Sequence, residues 1–363
     1  MRHATGIPLV PPEKSLETPK VLRELIHAHR YLAELKGVAK TIPNETILIS
    51  TLALQEAQNS SAIENIITTH DALYKYQLNP EMLDPITKET AHYGDALIFG
   101  YNQVKENQAI TLNMILDIQK ILVSNTAGFR KTPGTTLKNE QTGDVVFEPP
   151  SPEQLPSLLD ALERYINKAV KNSNPDPLVR MALIHHRFET IHPFYDGNGR
   201  TGRIINILFL VKEGLLDTPI LYLSRYINQN KPDYYHLLQA ARDSAKLEEW
   251  LIFVLRGVSL TAQHTTRLVE RIRDLFHQHK HHIREEHKFY SQDLINNLFR
   301  HPYTKVAFLE HDLKVSRATA TRYLNALSKD GLLHKQKLGR ENYYINHRLV
   351  ELLFNLPSIK LKS

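Results

Sequence analysis

The segment Ile191-His192-Pro193-Phe194-Tyr195-Asp196-Gly197-Asn198-Gly199-Arg200-Thr201-Gly202-Arg203 constrains this chain more than any other, because it sets a histidine and a carboxylate beside a glycine-flanked turn and two arginines. The run from Thr201 to Val211 is apolar at Ile204, Ile205, Ile207, Leu208 and Val211, which predicts a helix with Arg200 and Arg203 three apart in its first turn. Like charges at that spacing repel, and these two stand at the positive end of the helix macrodipole. The local sequence is therefore electrostatically unfavourable unless an anion belongs there. Gly197 and Gly199 permit positive φ and let several N–H groups converge on one point, a nest suited to a phosphate chain. Asp196 supplies the hard oxygen that Mg²⁺ prefers, and a phosphate-bound Mg²⁺ draws few carboxylates from the protein. His192, stiffened by Pro193, exchanges a proton near neutral pH and is the candidate general base.

These residues resemble the signature of the Fic domain family: His-Pro-Phe, any residue, Asp or Glu, Gly-Asn-Gly-Arg, two residues, Arg. Every specified position is met. The resemblance implies transfer of AMP from ATP to a Ser, Thr or Tyr hydroxyl of a target protein, with pyrophosphate as leaving group. It makes His192 the base that takes the hydroxyl proton, and Asp196 the residue that holds Mg²⁺ between the α- and β-phosphates. Gly197, Asn198 and Gly199 cradle the phosphates, Thr201 and Gly202 complete the ATP-binding segment, and Arg200 and Arg203 neutralise the β- and γ-phosphates. Chemistry of this kind depends on in-line placement and charge stabilisation more than on covalent catalysis. The Gly-Asn-Gly turn separates the chain from kinase-like relatives, whose turn carries a bulky basic residue.

Two further features fit the resemblance. Residues 128–150 carry a Thr-Gly-Asp turn beside β-prone Val145, Val146 and Phe147, which predicts a hairpin. In the family this is the flap, which binds the target protein by adding a strand to it. Adjacent Tyr234 and Tyr235 cannot share one helix face, so one is expected in the core and the other toward a ligand. The family places such a pair at the adenine.

Upstream, Ser60-Ser61-Ala62-Ile63-Glu64-Asn65 matches the family's inhibitory motif of Ser or Thr, three residues, Glu, and Gly or Asn. On a helix Ser60 and Glu64 share a face, extended by Ala53 and Ala57 as a stripe of small residues. The resemblance implies that Glu64 pairs with Arg203 in a bidentate fork, occupies the γ-phosphate's place and keeps the enzyme self-inhibited. The motif's position before the core places the chain in the class with an N-terminal inhibitory helix. In some relatives the same Glu orients a water for AMP removal, so a de-AMPylase using the same pocket stands as an alternative.

The periodicity predicts helices near 15–37, 46–67, 86–106, 111–124 and 154–171, with another from Pro177 to Glu189. The expected fold is mainly α: a helical Fic core with a β-hairpin flap, followed by a small α+β winged-helix domain. Expected boundaries are 1–110 for an N-terminal helical region, 111–255 for the catalytic core, 256–284 for a basic linker helix and 285–363 for the winged helix. No stretch approaches the length of a membrane span, and there is no Cys among 363 residues, which excludes disulfides and thiolate metal sites and suits a cytoplasmic protein. A homodimer is expected.

Charge sets the C-terminal third apart. Residues 261–363 hold 18 Lys and Arg against 10 Asp and Glu, net +8, while residues 1–260 hold 27 against 29, net −2. Tyr303 to Asp312 predicts a first helix, and Ser316 caps a second that runs to Lys329 with Arg317, Thr319, Thr321, Arg322 and Asn325 on its polar side. A hairpin of Leu332–Gln336 and Asn342–Asn346 then carries Lys337 and Arg340 at the wing. Such a unit binds DNA or docks protein. The alternative from another class is a DNA-binding regulator whose nucleotide site senses rather than catalyses, although a preserved base argues for chemistry. His277, His279, His281 and His282 lack the ligand order of a zinc site and predict a solvated basic helix.

Overall fold

The computed structural model describes residues 16–79, 84–138, 143–168, 175–242, 246–338 and 341–355. Helix α1 (Pro19–Ala39) starts where the Thr18 side chain accepts from Val21 N–H, with proline in its first turn. It buries the stripe Val21, Leu25, Ala28, Leu32 and Leu35. Helix α2 (Glu45–Ile63) is capped by Asn44 and is buried on almost every side, Ala53, Ala57 and Ser60 included. It stops earlier than the periodicity suggests, because Asn65 takes a left-handed φ of 59°. Glu64 is therefore the C-cap of α2, and Ile67 lies beyond the helix, largely exposed.

Helices α3 (His70–Leu78), α4 (Pro85–Asn107) and α5 (Leu112–Val123) follow, capped by Thr69, Asp84 and Thr111. Strands β1 (Leu137–Lys138) and β2 (Val145–Phe147) form the expected antiparallel hairpin, of which residues 139–142 lie outside the described part. Then come α6 (Leu155–Asn167), α7 (Pro177–Ile191), α8 (Asn198–Lys212), α9 (Leu223–Gln229) and α10 (Lys231–Ala240). Helix α8 packs against both α4 and α7, and the turn between α7 and α8 buries Phe194 and Asn198.

Helix α11 (Leu247–Glu286) runs unbroken for 40 residues, about 60 Å at the usual rise, across the expected boundary between 255 and 256. It is not a solvated linker. Val258, Ala262, Val269, Ile272, Phe276 and Ile283 are buried along its length, against α1 at one end and the C-terminal elements at the other. His279 is buried with both ring nitrogens unpartnered, while His281 meets Glu285 and His282 meets Asp330. No metal-holding group of three or more such side chains occurs among the described residues.

The C-terminal unit comprises α12 (Gln292–Arg300), β3 (Tyr303–Lys305), α13 (Val306–Leu313), α14 (Arg317–Lys329), β4 (His334–Leu338), β5 (Glu341–Ile345) and α15 (His347–Phe354). Tyr303 thus begins a strand rather than a helix. Its short run Tyr303-Thr304-Lys305 pairs antiparallel with Ile345-Tyr344-Tyr343, giving sheet order β3-β5-β4. Ser316 caps α14 as expected. Asn325 is less available than its position implies, since it accepts from Lys335 Nζ at 2.8 Å and from the Tyr344 hydroxyl at 2.9 Å. Arg340 lies outside the described residues.

This unit grips α2 and α3. Ser50 Oγ donates to the Arg300 carbonyl and Gln55 Nε2 to the Leu353 carbonyl, each at 3.0 Å, while Tyr303 stacks on Tyr74 and donates to Asp71. On its other side α2 inserts Glu56 toward Tyr93 of α4 and Ser224 of α9. Helix α2 is thereby held between the C-terminal unit and the signature-bearing core. No helix among the described residues is long and apolar enough to cross a membrane.

Candidate functional site

Helix α7 ends at His192, whose φ of 48° turns the chain sharply into Pro193. A histidine in the left-handed region needs outside support. Arg130, at the root of the flap, provides it: Nε donates to the His192 carbonyl at 2.8 Å, Nη2 reaches the carbonyls of Pro150 and Ile191, and the Arg130 N–H pairs with the Pro193 carbonyl. Asn198 closes the turn by bonding both the N–H and the carbonyl of Phe194 at 2.9 Å. His192 itself is half-buried, with its Nδ1 enclosed and without a hydrogen-bond partner. Burial, Arg130 and Arg242 push its imidazole down to about 4 against the opposing Glu64, so the ring is neutral at physiological pH.

Gly197, at φ 79°, forms the N-cap of α8, and a Cβ there would come within 2.9 Å of Val123. The Gly197 N–H donates to Asp196 Oδ1 at 2.6 Å, and the same oxygen lies 3.6 Å from Arg200 Nη2. The Asp196 side chain is 66% exposed, so its remaining lone pairs face solvent. The donor set fits an Mg²⁺ held by one protein carboxylate with phosphate and water oxygens completing the shell. Thr201 and Gly202 are buried in the first turns of α8, Gly202 beneath the Glu189 carboxylate.

The two arginines that the sequence leaves unpartnered both receive carboxylates from other helices. Arg200 is fully buried and meets Glu89 of α4 at 2.6 Å. Arg203 donates from Nε to Ser60 Oγ at 2.8 Å, and from Nη2 to the Ser60 carbonyl at 2.9 Å and to Glu64 Oε1 at 2.8 Å. The expected bidentate Glu64 fork is thus a single short contact, because Ser60 takes the rest of the guanidinium edge. Burial works against the Arg203 charge, but Glu64 more than restores it and holds the group above its usual range. Asn65 accepts from Lys231 Nζ at 2.8 Å, fixing the chain just after Glu64.

Two more carboxyls surround Arg203. Glu56 and Glu189 are each buried and pushed up to about 7 by that burial, against the nearby Arg203 charge. Tyr234 is buried, its hydroxyl 2.8 Å from His185 Nε2, while Tyr235 is 42% exposed with Lys231 Nζ 5.9 Å from its ring centre. The pair divides as the one-face argument requires. Arg130, Glu56, Glu89, Glu189 and Arg242 escaped sequence reading. Each lies far along the chain or on another helix face, and only Arg130 carried a cue, its place at the flap root.

The structure thus brings Ser60, Glu64, Asn65, His192, Asp196, the Gly-Asn-Gly turn, Arg200 and Arg203 to one locus. Fold and site together define a Fic-domain protein. Sequence profiles agree: Fic/DOC family N-terminal matches residues 22–102 and Fic/DOC family matches 109–210, so the chain belongs to the Fic/DOC family. A third profile, the C-terminal domain of SoFic-like protein adenylyltransferase, matches residues 275–357.

Among similar proteins, a probable protein adenylyltransferase of Aquifex aeolicus is 30% identical over 49% of this chain and 53% of its own length. The protein adenylyltransferase Fic of Drosophila ananassae is 35% identical over 38% of this chain and 26% of its own. The chain therefore spans about half of the first relative and about a quarter of the second. Its fold is similar to that of a Fic family protein from Desulfovibrio desulfuricans G20, with a TM-score of 0.55 at 20% identity over 90% of this chain and 96% of that one. A Fic domain containing signaling protein from Bacteroides thetaiotaomicron gives 0.56 at 17% identity over 68% and 97%.

Proposed function

We propose that this chain is a protein adenylyltransferase that moves AMP from ATP to a Ser, Thr or Tyr hydroxyl of a target protein, and that Glu64 restrains it. The observation that carries the reading is His192: a half-buried, neutral imidazole whose enclosed Nδ1 has no hydrogen-bond partner, fixed by Arg130 at the mouth of a glycine-flanked helix N-terminus. In the proposed step the target oxygen forms a bond to the α-phosphorus, the bond from that phosphorus to the bridging oxygen of the β-phosphate breaks, and pyrophosphate departs. The hydroxyl proton passes to His192. The Gly197-Asn198-Gly199 turn and the α8 N-terminus hold the phosphates, and Arg200 and Arg203 balance their charge. Asp196 is the residue that would hold Mg²⁺, which when bound would neutralise charge between the phosphates. The names of the Aquifex and Drosophila relatives support the same reaction class.

Restraint is supported by the Glu64 to Arg203 contact, which occupies a guanidinium nitrogen that a γ-phosphate would need. The flap is the expected contact with the target protein. For the C-terminal unit we keep duplex DNA as the proposed partner in a winged-helix arrangement, supported by exposed Arg317 and Arg322 on α14 and Lys337 on β4.

The test uses the purified Glu64→Gly chain with Mg²⁺, a cell lysate and ATP labelled at either the α- or the γ-phosphate. Protein-bound label from the α position alone is expected. Label arriving from the γ position instead would mean phosphoryl transfer and overturn the reading.

A further inference from the structure

The flap hairpin is short, with two paired positions and an irregularity between Leu137 and Lys138. Two-stranded ribbons of this size are marginal without an outside tether. Arg130 fixes the root of the flap, and a second set of contacts fixes β2 from the end of α10. The Arg242 guanidinium stacks 3.6 Å from the centre of the Phe147 ring, which is itself buried. Its Nη1 donates to Gln239 Oε1, and Gln239 Nε2 in turn donates to the Val146 carbonyl at 3.0 Å. One arginine and one amide therefore hold two consecutive residues of β2, one by its ring and one by its backbone.

We propose that Arg242, acting with Gln239, is a positioning residue for the transfer reaction: it fastens the flap strand to α10 and so sets the flap's place above His192. The proposal rests on reading His192 as the base. Stacking suits arginine in particular, because a planar guanidinium keeps its edge donors free for hydrogen bonds while its face covers the ring. The edge here is only partly used. Arg242 Nε is buried without a hydrogen-bond partner, a donor left over beside the site.

Arg242 also lies within electrostatic reach of the base. It joins burial and Arg130 in keeping the imidazole of His192 neutral, against Glu64, which follows α2, and the backbone of Glu189 in α7. The same cation partly offsets the burial that raises Glu189. A cation fastened to the flap thus favours the proton-accepting form of His192 when the flap is in place.

The test compares Arg242→Gln, Arg242→Lys and Phe147→Leu in the full chain, each with and without Glu64→Gly. Three measurements are made: protease cleavage within 128–150, the ring titration of His192 by NMR, and the rate of AMP transfer. The His192 signal is assigned by its loss in His192→Ala. Arg242→Gln should speed flap cleavage, move the His192 titration to higher pH, and lower kcat about tenfold with KM for ATP within about twofold. Arg242→Lys should leave the titration in place while loosening the flap, because it keeps the charge and loses the planar stack. Phe147→Leu should behave like Arg242→Lys.

Unchanged cleavage and an unchanged His192 titration in Arg242→Gln would overturn the proposal. Cleavage and titration need no AMP transfer, so they decide the role of Arg242 even if the Glu64→Gly chain proves inactive. Inactivity of that chain would count against the proposed function alone.

Discussion

Glu64 Oε1 lies 2.8 Å from Arg203 Nη2 and directly over Gly199, where an added Cβ would fall 2.2 Å from the same oxygen. One carboxylate oxygen thus occupies both an arginine donor, Nη2, and the space over the glycine turn, two places a phosphate chain would use. Glu64→Gly should raise AMP transfer by at least about tenfold, in rate more than in affinity. Glu64→Asp should restrain only partly, since the side chain is a methylene short of a single 2.8 Å contact. Transfer rates of the three chains at saturating ATP check the ordering, and equal rates would remove Glu64 from regulation.

The grip of the C-terminal unit on α2 predicts a second route to release. Gln55 Nε2 reaches the Leu353 carbonyl from a buried face of α2, about one and a half turns before Ser60. Gln55→Ala leaves that carbonyl unsatisfied and should cost roughly 1–3 kcal/mol of stability. It should also raise AMP transfer above the parent while staying below Glu64→Gly, because Arg203 keeps its carboxylate. A melting curve and a transfer assay on the same preparation test both. A destabilised chain with unaltered transfer would show that the C-terminal unit holds α2 without influencing the site.

Glu56 and Glu189 give the fold a pH dependence of definite sign. Both have folded-state values of about 7, above the ordinary carboxylate range, because burial disfavours their charge. Their stabilising contribution is complete below the unfolded value and is lost as pH rises through about 7. Thermal stability should therefore fall between pH 5 and pH 8, each carboxyl accounting for on the order of 1–3 kcal/mol. The Glu56→Gln, Glu189→Gln chain should show a flatter profile over that window. An equally steep fall in the double variant would mean that other groups carry it.

Much of this was legible because the relevant constraints are local. The signature fixes a turn, a helix start and its charges within thirteen residues, and Ser60 with Glu64 needs only helical spacing. The two-arginine conflict signalled that anions belonged near α8, yet it could not say that Glu89 and Glu64 supply them. Those carboxylates come from α4 and the end of α2, over distances in sequence that periodicity does not span. The helix end at Ile63 was hidden because Ile66 and Ile67 continue an apolar run, while the left-handed Asn65 breaks the backbone. Long-range packing likewise turned the basic stretch after residue 255 into the buried spine of α11, where His279 is enclosed rather than solvated.

Duplex DNA binding by the C-terminal unit should appear as affinity that falls steeply with salt, because exposed lysines and arginines would displace counterions from phosphates. Lys337→Ala together with Arg317→Ala should flatten that slope, whereas Asn325→Ala should matter less, its side chain being held by Lys335 and Tyr344. Titration of a fluorescent duplex at several salt concentrations measures this. No binding at low salt would leave protein docking as the role of the unit.

The central claim is that His192 takes the hydroxyl proton while the rest of the site holds ATP. The most direct measurement compares Glu64→Gly with Glu64→Gly, His192→Ala, following protein-bound label from α-labelled ATP alongside ATP affinity by calorimetry. Loss of transfer by about 10²-fold or more, with ATP affinity within a few-fold, is predicted, because the substitution removes the base and leaves the phosphate cradle. Transfer at the same rate in both chains would contradict the account.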